Sequence, residues 1–79
     1  MGRPLRVLCT PSGRPRLLLW RGRRYPVEAV LERWRDVGRW WAGEPPKLFF
    51  RLQTADGALW EIYRDSGAAS SWHLYRLYD

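Results

Sequence analysis

Residues 47–64, KLFFRLQTADGALWEIYR, constrain the fold more than any other stretch. Two runs alternate their apolar side chains with period two, the spacing of a strand that buries one face, and a turn cluster separates them. The loop length then decides the pairing. A two-residue Asp56-Gly57 loop sets Leu52 opposite Glu61 and mixes the two faces. A three-residue loop, Ala55-Asp56-Gly57, sets Leu52 opposite Trp60, Phe50 opposite Ile62 and Leu48 opposite Arg64. Only the second gathers the apolar side chains on one face, and it gives Gly57 the left-handed position of a G1 bulge. The sequence therefore predicts an antiparallel hairpin in the Leu52–Trp60 register.

The rest of the chain reads as further short strands. Residues 5–10 form a first strand, and Pro11-Ser12-Gly13 a turn. Residues 16–20 and 23–28 form a hairpin about Arg21-Gly22, a two-residue loop that places Leu18, Trp20, Tyr25 and Val27 on one face. Pro26 cannot donate a ladder hydrogen bond, so its nitrogen belongs at an edge or a bulge. Residues 27–36 support two readings. Val27, Val30, Leu31 and Trp34 fit one helical face, whereas a long, bent strand needs a bulge to bring both Val27 and Val30 inward. The strand is favoured because no capping residue precedes the stretch; one short helix in 27–36 is the alternative. Breaks at Val37-Gly38 and Gly43 to Pro46 leave Trp40 and Trp41 in or beside a loop, and 65–71 form another. In the last strand, 72–78, Trp72 and Leu74 share one face; His73, Tyr75 and Leu77 share the other. The expected fold is all-β: a single domain over residues 1–79, a small antiparallel meander curled into an open barrel of SH3-like or split-barrel shape.

A chain of 79 residues needs a staple or dense aromatic packing. With one cysteine, Cys9, it cannot close an internal disulfide, so Trp20, Trp34 and Trp60 are expected to fill the core and Cys9 to be a buried structural thiol. No apolar run approaches the roughly 20 residues of a membrane span. The amino-terminal text is too broken by Pro and Gly for a secretory signal. A soluble, cytoplasmic protein without a membrane partner is expected. Scarce Asn, Gln and Met are also in keeping with a thermostable chain.

The net charge is +6 and the isoelectric point about 10.4, with thirteen arginines against one lysine. Six of those arginines, and four of the six tryptophans, lie between Trp20 and Trp41. Arginine grips phosphate with a planar fork and stacks on rings, so the stretch suits a polyanion. In a strand, Arg33 and Arg35 face the same way, opposite Trp34. The hairpin tip is expected to carry Arg21, Arg23 and Arg24 onto the same basic region. Arg39 and whichever of Trp40 and Trp41 is exposed complete the candidate nucleic-acid-binding set, the ring stacking a base of single-stranded DNA or RNA. The competing reading has Glu28, Glu32 and Asp36 neutralising that face. Catalysis finds little footing. His73 is the only histidine, no serine sits in a nucleophile elbow, and one cysteine with one histidine does not make a zinc site. The expectation is a non-enzymatic protein without cofactor or metal.

The text Leu18-Leu19-Trp20-Arg21-Gly22-Arg23-Arg24-Tyr25-Pro26-Val27, then Val30-Leu31, Trp34 and Trp40-Trp41, and a close from Trp72 to Asp79, resembles a family of small uncharacterised domains of high-GC bacteria. Leu18 stands where that family commonly has an aromatic residue. Members are similar to segments attached to inactive Y-family polymerase-like subunits of mutagenic translesion synthesis. The resemblance implies a DNA-repair setting, with a translesion polymerase subunit as a partner, and carries no catalytic residues. The leading expectation is an accessory β-barrel module that binds nucleic acid or docks in a repair assembly. The alternative is a protein–protein interaction module with no nucleic-acid contact. The oligomeric state is left open.

Overall fold

The computed structural model describes residues 3–65 and 71–78, with the backbone alone at Trp40. Six antiparallel strands run in chain order: β1 (Arg3–Cys9), β2 (Pro15–Trp20), β3 (Arg23–Asp36), β4 (Lys47–Thr54), β5 (Leu59–Asp65) and β6 (Trp72–Tyr78). Each pairs with the next, and Arg3 to Leu5 of β1 pair with Leu74 to Trp72 of β6. This last pairing corrects the open barrel to a closed one. Local patterns gave the hairpins, but the closing pair joins the two ends of the chain and has no local signal.

The β4–β5 hairpin has the expected register. Leu52 lies opposite Trp60, Phe50 opposite Ile62 and Leu48 opposite Arg64. Gly57 takes a φ of 89°, and its N–H donates to the Thr54 carbonyl at 2.9 Å. Leu18, Leu52, Ile62 and Trp60 are essentially sealed from solvent, with Leu5, Phe50 and Trp72 around them. Burying an aliphatic or aromatic side chain of this size contributes roughly 1.5–3 kcal/mol.

Residues 27–36 are strand, not helix, and belong to the 14-residue β3. Its first four residues pair with β2 and the remainder with β4. Irregularities between Val27 and Ala29 and between Val30 and Glu32 interrupt the ladder. They shift the side-chain phase so that Val27 and Val30 both pack on the core while Leu31 turns out, half exposed. Pro26 is the last β3 residue paired with β2, directly before the first irregularity, where its missing N–H costs no ladder bond. A similar shift between Glu61 and Ile62 changes the phase of β6, so Leu77 comes opposite Trp60 and leaves the face of His73.

Two burial expectations are corrected. Trp34 is only half-buried and stands on the outer face of the sheet, stacked on Phe49 with centroids 5.3 Å apart and planes 6° from parallel. Period two puts it opposite Phe49, not opposite the interior Phe50. Cys9 is exposed at the end of β1, although local packing desolvates the thiol enough to push its pKa up. Trp20 packs against the core from its rim, and Trp60 is buried as expected. The expected loop at 65–71 falls largely outside the described residues. Among the described residues no helix is long and apolar enough to cross a membrane.

Candidate nucleic-acid interface

The β2–β3 turn is built by two residues with positive φ, Arg21 at 51° and Gly22 at 76°. Both central positions of a type I′ turn need that conformation, which matches the twist of the flanking strands. Glycine takes it freely, whereas a side chain there is uncommon. Among the described residues Arg21 is the only non-glycine with positive φ. Its guanidinium carbon lies 5.3 Å from the centroid of the Trp20 ring. Arg23 pairs with Trp20 and Arg24 with Leu19, both arginines exposed.

Behind this turn the barrel mouth opens as a cleft of about 480 Å³ between Trp20, Tyr25 and Trp60, with Arg21, Arg23 and Asp56 at its edge. Tyr25 leans on Trp60 at 4.9 Å. A chain of hydrogen bonds fixes the acidic edge. The Trp60 indole N–H donates to Thr54 Oγ1 at 3.0 Å, and Thr54 Oγ1 donates to Asp56 Oδ1 at 2.5 Å. The Ala58 N–H donates to the same Oδ1 at 3.3 Å. The Thr54 hydroxyl first, and the Ala58 N–H second, hold the Asp56 carboxyl below the ordinary carboxylate range.

The other basic residues lie at the far end of β3. Arg33 and Arg35 share one face, opposite Trp34, and are exposed. After them Asp36 Oδ1 accepts the Gly38 N–H at 2.9 Å, and the Arg39 carbonyl accepts the Ala42 N–H at 2.9 Å. These bonds shape a 3₁₀ turn, Trp40–Ala42. Trp41 is 71 % exposed, and Val37 beside the turn is 54 % exposed. The question of the Trp40 side chain falls outside the described residues. The hairpin tip therefore does not join Arg33 and Arg35 in one region, as expected from sequence. Arg23 and Arg33 are ten positions apart on one extended strand, at about 3.3 Å per residue. The candidate residues form two patches, Arg21, Arg23 and Arg24 at the mouth and Arg33, Arg35, Arg39 and Trp41 at the far end.

Of the carboxylates expected to neutralise the basic face, Glu32 and Asp36 are engaged elsewhere, and the exposed Glu28 forms no ion pair among the described residues. Glu32 pairs with Arg51 at 3.0 Å, and the buried Glu61 takes both Nε and Nη2 of Arg51, at 3.0 and 2.7 Å. Asp36 is occupied in its turn. Among the described residues these are the only ion pairs, so none of the six candidate arginines has a carboxylate partner.

Two features escaped the sequence reading. The mouth cleft needs Asp56 and Leu77 beside Trp20, and pairing between separate hairpins brings them there, β3 with β4 for Asp56 and β5 with β6 for Leu77. The outer face of the sheet carries a second aromatic cluster. Phe49 contacts Trp34, Tyr63 and Tyr75 at 5.2–5.3 Å, and Tyr63 stacks on His73 at 5.1 Å. The alternation that sends Phe50 and Ile62 inward also sends Phe49 and Tyr63 outward, so this cluster was available from the register. Among the described residues no three His, Cys, Asp or Glu side chains gather as a metal site.

A family model described as a domain of unknown function, DUF6504, matches residues 4–79. No curated protein and no solved structure matches the chain.

Proposed function

We propose that this chain, which belongs to the DUF6504 family of domains of unknown function, is a non-enzymatic accessory module that binds single-stranded DNA or RNA. The observation that carries the reading is the set of arginines that have no carboxylate partner among the described residues: Arg21, Arg23, Arg24, Arg33, Arg35 and Arg39. An unpaired guanidinium on a surface keeps its full capacity for phosphate. At the mouth Arg21 lies over the Trp20 ring, and at the far end Arg39 lies two residues before the exposed Trp41. Stacking rings with flanking cations suit unpaired bases better than a closed duplex, whose bases already stack on each other. A strand spanning both patches falls in the range of about 4–16 nucleotides that one small barrel engages. The resemblance to segments of translesion polymerase-like subunits supplies the setting, a DNA-repair assembly in the cytoplasm.

Anisotropy titrations of labelled oligonucleotides at low salt test this reading. Single strands are expected to bind more tightly than duplexes of the same length. Absence of binding to any DNA or RNA overturns it. A second reading rests on the exposed apolar side chains Leu31, Val37 and Trp41, residue types that suit a protein dock such as a translesion polymerase subunit.

A further inference from the structure

We infer that the barrel-mouth cleft is a base-reading pocket that accepts one unpaired nucleobase and favours bases bearing an exocyclic amino group. The inference rests on the nucleic-acid reading and deepens it. The cleft volume of about 480 Å³ lies within the roughly 300–1,000 Å³ of small-ligand sites. Its walls are flat: the Tyr25 and Trp20 rings, and the Arg21 guanidinium drawn over Trp20. Aromatic rings and the guanidinium plane are the surfaces on which splayed bases stack. The positive φ that the type I′ turn demands of Arg21 fixes the backbone from which its guanidinium reaches Trp20. Arg21 and Arg23 stand at the edge of the cleft, where the phosphates flanking an inserted base must pass.

Asp56 supplies the discrimination. Both bonds that orient it, from Thr54 Oγ1 and the Ala58 N–H, fall on Oδ1. Among the described residues no neighbouring side chain or backbone N–H is seen to donate to Oδ2, and Asp56 lines the cleft, so it brings there a carboxylate that can only accept. Cytosine offers that oxygen its N4 amino group, whereas thymine offers a carbonyl, which repels it. Stacking area and backbone charge are nearly equal for the two pyrimidines, so their ratio isolates the Asp56 contact. Asp56→Asn inverts the chemistry. The two donors hold the amide oxygen at the δ1 position, which leaves the amide NH₂ where Oδ2 was, a donor that suits thymine.

The test is anisotropy of labelled oligo-dC and oligo-dT, each of roughly 12 nucleotides, with the parent chain and Asp56→Asn, folding being checked by circular dichroism. The parent is expected to bind oligo-dC roughly tenfold more tightly, the effect of one charge-assisted hydrogen bond. In Asp56→Asn the ratio is expected to fall to unity or reverse. Equal affinities of the parent for the two strands overturn the pocket while leaving the nucleic-acid reading intact. A ratio that persists in folded Asp56→Asn also overturns it. Failure of both strands to bind at low salt overturns both readings. If Asp56→Asn does not fold, the parent's ratio alone decides.

Discussion

Trp60→Ala lowers the free energy of unfolding by about 3–5 kcal/mol, the cost of truncating a large buried aromatic and leaving a cavity. The Trp60 side chain is 1 % exposed, lies 4.9 Å from Tyr25 and stands opposite both Leu52 and Leu77. Its indole N–H is also the donor that fixes Thr54 and, through it, the Asp56 turn. The substitution therefore removes packing and unties the β4–β5 loop together. A domain of this size starts from a small reserve, near the lower end of the ~5–15 kcal/mol typical of native proteins. Trp60→Ala is expected to be largely unfolded at room temperature. Trp60→Phe keeps a ring in the core and loses the indole donor, so its denaturation midpoint falls between the alanine variant and the parent. Urea denaturation of the three proteins checks this. An alanine variant with the parent's midpoint contradicts the packing described for Trp60.

The second large effect separates the arginines of the far patch from its ring. Neutralising Arg33 and Arg35 together, as glutamines, removes up to two phosphate contacts. On single strands each contributes about 0.7 to the slope of log K against log salt, so the slope flattens by about 1.4. Stability stays within about 0.5 kcal/mol, because both side chains are exposed and neither is ion-paired among the described residues. Trp41→Ala behaves differently. It costs roughly 1–3 kcal/mol of binding, the contribution of a base stacked on an aromatic ring, and leaves the salt slope where it was. Salt-dependent anisotropy of the parent and the two variants reads both effects. A flattened slope in Trp41→Ala, or an unchanged slope in the double variant, contradicts these assignments.

What was legible in the sequence follows the range of the interactions. The Leu52–Trp60 register was readable because a slip of one residue would have sent a whole apolar set to solvent, a penalty that the pattern itself exposes. The bent course of β3 was readable for the same reason: Val27 and Val30 can both reach the core only through a bulge. Trp34 was misplaced because its size suggests burial, whereas period two sets it beside the outward Phe49. Closure of β1 on β6 was not readable, since Leu5 and Trp72 are brought together by the twist of the whole sheet. Two features of the site depended on such long-range geometry. The length of β3 parts Arg23 from Arg33, and the mouth cleft collects Trp20, Asp56 and Leu77 from three regions of the chain. The arginines themselves were legible by type. That they have no carboxylate partner among the described residues was not, because it depends in part on Arg51 engaging Glu32 across the sheet.

The salt dependence of the parent chain's affinity for a single-stranded oligonucleotide tests the central claim most directly. With up to six arginines at phosphates and about 0.7 per contact, the slope of log K against log salt is predicted to approach −4. Measurable binding with a slope near zero would contradict the account and place the affinity in apolar contacts instead.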